Sequence, residues 1–237
     1  AMIDSMDQAI GHIIKAVADL DQTKNTMVLF LADNGGCDES GLYGFERKKG
    51  GKLGTDSSFA SYGLCWANAS NTPFQFFKKD NHEGGIASPL IVHWPEGIKK
   101  EAHGKLRYEP THVIDIMATA VQLAGAEYPA RFRGQEILPL EGRSLLPTFE
   151  GKPLDRTALY WEHVGNRAVR SGDWKLVANT RFRKQEWELY NLRTDRTETV
   201  NLFNQREDKA QELKALWQAW AARAYVLPKP GAKKLKK

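Results

Sequence analysis

The sequence predicts an α/β layered fold followed by a small antiparallel sheet with one covering helix. Three observations carry this. An apolar stripe at helical spacing leads, after a short break, into an apolar run that ends in polar residues. Beyond Pro153 the pattern changes to short alternating runs parted by turn residues. A final stripe of Leu213, Leu216, Trp217 and Trp220 has the spacing of a helix lying on that sheet.

The elements follow in chain order. Ile3, Met6, Ile10, Ile13, Ile14, Val17 and Leu20 recur every three or four residues, which predicts a helix resting on a core. Asp4 and Asp7 stand in its first turn, where carboxylates complement the helix dipole. After Asp21-Gln22-Thr23-Lys24-Asn25, the run Thr26-Met27-Val28-Leu29-Phe30-Leu31-Ala32 is apolar throughout, as expected of a parallel strand covered on both faces. It ends in Asp33-Asn34-Gly35-Gly36, and sites in α/β folds lie at the carboxyl ends of strands. Residues 37–70 show little periodicity, and so long a loop is usually functional or mobile.

A second strand is predicted at Pro89-Leu90-Ile91-Val92-His93-Trp94, closed by Pro95. A helix runs from Thr111, as N-cap, to Gly125, as stop. Four short strands are predicted around Tyr160, Val169, Leu176 and Leu189. The expected division is 1–152 for the α/β part, 153–227 for the antiparallel part and 228–237 for a basic disordered tail.

Composition narrows the function classes. Of 237 residues, 41% are hydrophobic and 27% charged, which is globular usage. The longest apolar run is far shorter than the ~20 residues a membrane span needs, so no membrane partner is expected. The net charge of +5 is concentrated in a tail with five lysines, and without it the chain is near neutral, so no nucleic-acid partner is expected. Two cysteines, Cys37 and Cys65, are too few for a disulfide scaffold and lack the spacing of a zinc module; one bridge and two free thiols both remain open.

Two constellations carry chemistry. In Asp33-Asn34-Gly35-Gly36, a carboxylate and an amide carbonyl are hard oxygen donors suited to calcium or magnesium, and the glycines allow a sharp turn. A plain turn has the same sequence, and calcium takes ~6–8 oxygens, so spacing alone favours the turn. In the segment from Asn71-Thr72-Pro73-Phe74 to Lys78-Lys79-Asp80-Asn81-His82-Glu83-Gly84-Gly85, Lys78 and His82 stand between an aromatic cluster and a glycine pair leading into a strand. That arrangement implies an anionic ligand.

Taken together, Leu31-Ala32-Asp33-Asn34-Gly35, Thr72-Pro73-Phe74, the run from Lys78 through His82-Glu83-Gly84-Gly85 to Pro89, and Ile91-Val92-His93-Trp94-Pro95 resemble the second half of the sulfatase family, within the alkaline phosphatase superfamily. Gly142-Arg143-Ser144-Leu145-Leu146-Pro147, Trp161-Glu162-His163, Asn166-Arg167-Ala168-Val169-Arg170, Gly172-Asp173-Trp174-Lys175-Leu176 and Glu188-Leu189-Tyr190-Asn191-Leu192 continue the resemblance, which covers residues 3–220. It implies part of an alkaline-phosphatase-like sheet flanked by helices. It also implies hydrolysis of sulfate esters, with Asp33 and Asn34 as two calcium ligands, Lys78 contacting a sulfate oxygen and His82 as a neighbouring pocket residue. Glu83 is expected to bond backbone amides. From the small sheet, Trp161, His163, Asn166 and Arg167 would project toward the pocket and select the organic part of the substrate, while Trp174 and Trp187 serve the core.

One departure from the family pattern stands out. The formylglycine nucleophile arises within Cys/Ser-x-Pro/Ala-x-Arg, and neither Cys37-Asp38-Glu39-Ser40-Gly41 nor Cys65-Trp66-Ala67-Asn68-Ala69 matches it. The resemblance therefore implies that formylglycine, the other calcium ligands and a second histidine lie upstream of Ala1. The implied partners are this N-terminal half and a sulfated small molecule or glycan; the implied compartment is periplasmic or secreted. Two alternatives are a phosphate ester hydrolase of the same superfamily and a non-catalytic binder of sulfated glycans. Asn34 argues for one hard cation over the histidine-bound zinc pair of phosphatases.

Overall fold

A computed structural model describes residues 2–47, 50–184 and 186–227; the basic tail at 228–237 lies outside the described residues. In chain order the elements are α1 Met2–Asp19, β1 Val28–Leu31, β2 Phe45–Glu46, β3 Ala60–Ser61, α2 Gly63–Asn71, α3 Glu83–Ile86 and β4 Leu90–His93. They continue with α4 Ile114–Leu123, β5 Arg131–Phe132, β6 Gln135–Glu136, α5 Leu146–Phe149, β7 Leu159–His163, β8 Asn166–Ser171, β9 Trp174–Ala178, β10 Trp187–Asn191 and α6 Glu207–Arg223. They gather into two compact units, Ala1–Leu31 with Leu90–Arg156, and Ala32–Pro89 with Thr157–Lys237.

In the first unit, α1 forms where its periodicity predicts, and Lys15 pairs with Asp19 one turn on at 2.7 Å. Its apolar stripe does not rest on a core, however: no residue of α1 is buried, and Ile3 is 78% exposed. Strands β1 and β4 form directly from the two predicted runs, but they pair antiparallel, Val28 opposite His93 and Leu31 opposite Leu90. The parallel expectation fails because an apolar run reports burial and says nothing of direction. The pair is also only half-covered, with Phe30 and its partner Ile91 both exposed. Helix α4 starts three residues after Thr111, and Thr111 does not cap it. Instead the buried Asp115, inside the first turn, accepts the amide of His112 at 2.8 Å and that of Arg143 at 2.8 Å. Gly125, at φ +60°, ends the helix as expected.

The second unit is built on a four-stranded antiparallel sheet in the order β10-β9-β8-β7, with all four strands where alternation predicts them. Alternation matters because successive residues face opposite sides. One face sends Val169, Leu176 and Leu189 against Ala210, Leu213, Trp217 and Ala221 of α6, all buried. The other face carries Ala168, Val177 and Tyr190, and among them the polar residues Asn166, Lys175 and Glu188. The stretch 37–70 is more ordered than its composition predicts. It holds the β2–β3 pairing and helix α2, where Gly63 at φ +74° makes the close entry past Gly44.

Candidate active site

The turn after β1 is fixed by backbone bonds. Gly35 donates to the carbonyl of Gly85 at 3.0 Å, Gly36 donates to Oδ1 of Asn71 at 2.8 Å, and Lys78 donates to the carbonyl of Gly36 at 2.9 Å. Asn71 in turn donates through Nδ2 to the carbonyl of Phe76 at 2.9 Å. A Cβ at position 35 would lie 1.7 Å from the carbonyl oxygen of Gly84, so this approach requires glycine. The physical consequence is that Asp33, Asn34 and Lys78, separated by some forty-five positions, share one neighbourhood.

Electrostatics agrees with the geometry. The Lys78 ammonium is held above its ordinary range chiefly by Glu39, whose Oε2 it meets at 2.9 Å, with Asp33 adding to the effect. Lys79 pairs with the other oxygen of Glu39. Between Lys79 and Lys78 the Glu39 carboxyl is pulled down to about 2. Asn34 donates its Nδ2 to the carbonyl of Gly35 at 2.9 Å. Its Oδ1, and the exposed carboxylate of Asp33, accept no hydrogen bond among the described residues. They are hard donors left open at a strand end, and so fit a hard divalent cation as part of its shell. No group of three or more His, Cys, Asp or Glu that could hold a metal occurs among the described residues. A cleft of about 570 Å³ opens beside the turn; Asn34, Gly36, Asn71 and Glu83 line it, whereas Asp33, Lys78 and His82 do not.

His82 lies behind this face. Its ring has no exposed surface, its Nε2 sits 2.9 Å from Oε2 of Glu188 on β10, and Phe76 packs edge-on against it at 4.6 Å. In this packing the ring presents no surface to solvent, and its Nδ1 has no hydrogen-bond partner among the described residues. Glu83 does not bond backbone amides as expected. It pairs with Lys175 of β9 at 2.9 Å, and Glu198, 2.8 Å from the same ammonium, takes the Glu83 amide at 2.7 Å. Burial raises the Glu83 carboxyl, but Lys175 outweighs that and holds it below its usual range. Burial likewise opposes the charge on Lys175, yet Glu198 and Glu83 keep its ammonium above its usual range. Asp80, raised by burial, accepts Asn179 Nδ2 at 2.7 Å. The segment that carries Lys78 is thus bolted to the polar face of the β7–β10 sheet.

The residues expected to select the substrate disperse. Asn166 and Arg167 are neighbours on β8 and therefore face opposite ways. Asn166 is buried, donating to the carbonyl of Lys79 at 2.7 Å and accepting from the Thr180 amide at 2.7 Å. Arg167 lies on the α6 side, its guanidinium 4.6 Å above the Trp187 ring and 5.6 Å from that of Trp217. His163 is exposed at the end of β7, opposite Asn166 in register. Trp161 packs against the cluster of Ala168, Val177 and Tyr190, and its carbonyl accepts the Trp217 indole N–H at 3.0 Å.

Sequence reasoning missed Glu39, Lys79, Lys175 and Glu198. An adjacent lysine pair was visible, but only the fold shows that one carboxylate gathers both. Both cysteines are free.

The chain matches the sulfatase family over residues 1–126, and the family described as N-sulphoglucosamine sulphohydrolase, C-terminal, over residues 74–222. An uncharacterized sulfatase of Schizosaccharomyces pombe is 31% identical over 187 residues, covering 73% of this chain and 33% of that protein. An arylsulfatase of Klebsiella aerogenes is 32% identical over 167 residues, covering 67% of this chain and 35% of that protein. Among solved structures, one described as Ps i-CgsB in complex with k-i-k-neocarrahexaose matches with a TM-score of 0.70 at 21% identity, over 94% of this chain and 42% of that one. The chain therefore spans about a third of the length of each of these two curated relatives, and the fold is the alkaline-phosphatase-like α/β fold of the sulfatases.

Proposed function

The chain belongs to the sulfatase family, and from that premise we propose that it supplies one side of a site that hydrolyses sulfate esters. The observation that carries this reading is the convergence of Asp33, Asn34 and Lys78, held by the bond from the Lys78 amide to the Gly36 carbonyl. Asp33 and Asn34 would hold a calcium ion together with oxygens supplied from outside this pair. When bound, such an ion stabilises negative charge on sulfuryl oxygens. Lys78 adds a positive charge on the same oxygens as the ester bond breaks, which matters most where water is excluded. Asn34, lining the cleft, orients the ligand's polar end.

His82 acts as a positioning residue in this reading, since its buried ring ties the Lys78 segment to Glu188. Asn166 does the same through the carbonyl of Lys79. The nucleophile is expected from a formylglycine in sequence beyond this chain, which holds no Cys/Ser-x-Pro/Ala-x-Arg segment. The substrates are sulfated small molecules or glycans, and the compartment is periplasmic or secreted. Among the described residues no helix is long and apolar enough to cross a membrane.

The test is sulfate release from an aryl sulfate or a sulfated sugar by the protein together with the further sequence its relatives carry. Asp33→Ala is expected to abolish metal-dependent turnover. Lys78→Ala should lower kcat by about 10²–10³, the scale for removing one stabilising group from a developing oxyanion. Wild-type rates in either variant defeat the assignment. Release of phosphate but not sulfate would instead place the chain with phosphate ester hydrolysis, and affinity for a sulfated sugar without release would make it a binder.

A further inference from the structure

Glu39 occupies a position that its own sequence neighbourhood does not explain. Its two carboxylate oxygens are divided between two ammonium groups, Oε2 toward Lys78 at 2.9 Å and Oε1 toward Lys79, with the Cys37 thiol 3.4 Å from Oε2. Adjacent residues of an extended segment point in opposite directions, so two consecutive lysines do not ordinarily meet on one partner. They do here because Lys78 and Lys79 are the central residues of a turn closed by the Asp80 amide on the Phe77 carbonyl at 3.0 Å, in which Lys79 takes φ +79°, the left-handed region, which costs a residue with a Cβ about 1–2 kcal/mol. Such strain persists only where surrounding structure enforces it, and it concentrates at ligand sites. The enforcement is visible. The buried Asn166 clamps the Lys79 carbonyl at 2.7 Å, and the Lys78 amide is bonded to the Gly36 carbonyl at 2.9 Å.

The three side chains are each between one-third and one-half exposed, and pairs so exposed contribute at most about 1 kcal/mol. A strained backbone fixed from two sides is a disproportionate device for holding so weak a contact. It makes sense if the two ammonium groups are aimed at something that binds there in exchange for the carboxylate. The incoming group must present two oxygens on one centre, as a carboxylate does, and carry negative charge. Glu39 stays ionised throughout the neutral range, so the exchange is anion for anion and needs no proton.

We propose that Lys78 and Lys79 form a two-ammonium seat for a single tetrahedral oxyanion, that Lys79 is a second anion-contacting residue beside Lys78, and that Glu39 fills the seat until the anion displaces it. This deepens the reading given above and rests on its placement of the anion at Lys78. The probe is inorganic sulfate, with affinity measured calorimetrically at constant ionic strength, so that turnover plays no part. Glu39→Gln should tighten sulfate binding about fivefold, the size of one exposed charge contact. In the Glu39→Gln background, Lys79→Gln and Lys78→Gln should each reverse that gain, with thermal unfolding unchanged because all three side chains are solvent-accessible.

Sulfate affinity unmoved by Glu39→Gln, or unmoved by Lys79→Gln in that background, overturns the proposal. If Lys78→Gln weakens sulfate binding while Lys79→Gln does not, the single-lysine reading stands and the second ammonium falls. If both lysines matter yet the protein together with the further sequence its relatives carry hydrolyses no sulfate ester, the seat stands and the hydrolase reading falls.

Discussion

Lys175 has no solvent exposure and still bears a charge, because Glu83 and Glu198 stand within 2.9 Å of its ammonium. Burying three charges together gains little over an apolar cluster of the same shape, but removing one of them leaves the others stranded. Lys175→Met is therefore expected to destabilise the fold by about 3–5 kcal/mol, measured by urea unfolding. The same cluster sets a pH window. Glu83 has a folded value below its unfolded one, so its contribution is present above about pH 4.5 and is lost as pH falls through the folded value. Lys175 has a folded value above its unfolded one, so its contribution is present below about pH 10.5 and is lost as pH rises through the folded value. The contribution of this pair should be flat between these limits and fall beyond both; Lys175→Met should reduce the alkaline fall, the remainder coming from Tyr190, whose phenol is also held above its ordinary range by burial. None of this was legible in the sequence, where Lys175 sits in an ordinary alternating run. Its partners lie 92 residues upstream and 23 residues downstream, and only the register of β9 against the Glu83 segment brings them together.

At the scale of elements, legibility follows from how local the governing physics is. Strands β7–β10 and helix α6 were readable because each buries a face at its own period: Val169, Leu176 and Leu189 alternate onto Leu213 and Trp217. The direction of β1 against β4 was not, since pairing is a property of two segments and the local pattern describes one. The site residues divide in the same way. Asp33 and Asn34 were visible as hard donors closing an apolar run, whereas the opposite facing of Asn166 and Arg167 needed the strand boundaries of β8. Trp217 shows what α6 contributes. It is 2% exposed, donates its indole N–H to the Trp161 carbonyl, packs edge-on against Trp187 and lies beneath the Arg167 guanidinium. Trp217→Ala should cost about 3–5 kcal/mol by cavity formation and the lost bond, seen as a lowered urea midpoint. Trp217→Phe should recover part of it, because the ring is kept while the Trp161 carbonyl still lacks its donor.

Across the whole molecule, burial is distributed unevenly, and that distribution governs which regions open first. The β8–β9–α6 core has its central side chains fully buried, so its amides are expected to exchange with solvent only through global unfolding. Helix α1 has the opposite character. All of its residues retain solvent contact, with Met2, Ile3 and Ile13 more than three-fifths exposed, and a helix of 18 residues without a packed face is marginal on propensity alone. Its amides should therefore exchange orders of magnitude faster than those of α6, a difference hydrogen-exchange mass spectrometry resolves peptide by peptide. Ile13→Glu should leave thermal unfolding within about 0.5 kcal/mol of the wild type, as for a surface position, whereas Leu213→Glu, on α6, should prevent folding of its unit by burying an unpaired charge. If α1 were instead protected to the same degree as α6, its apolar stripe would have to be covered in solution by other protein surface, a second copy of this chain included. Protection that rises with protein concentration would identify that second copy as the cover, because only association depends on concentration.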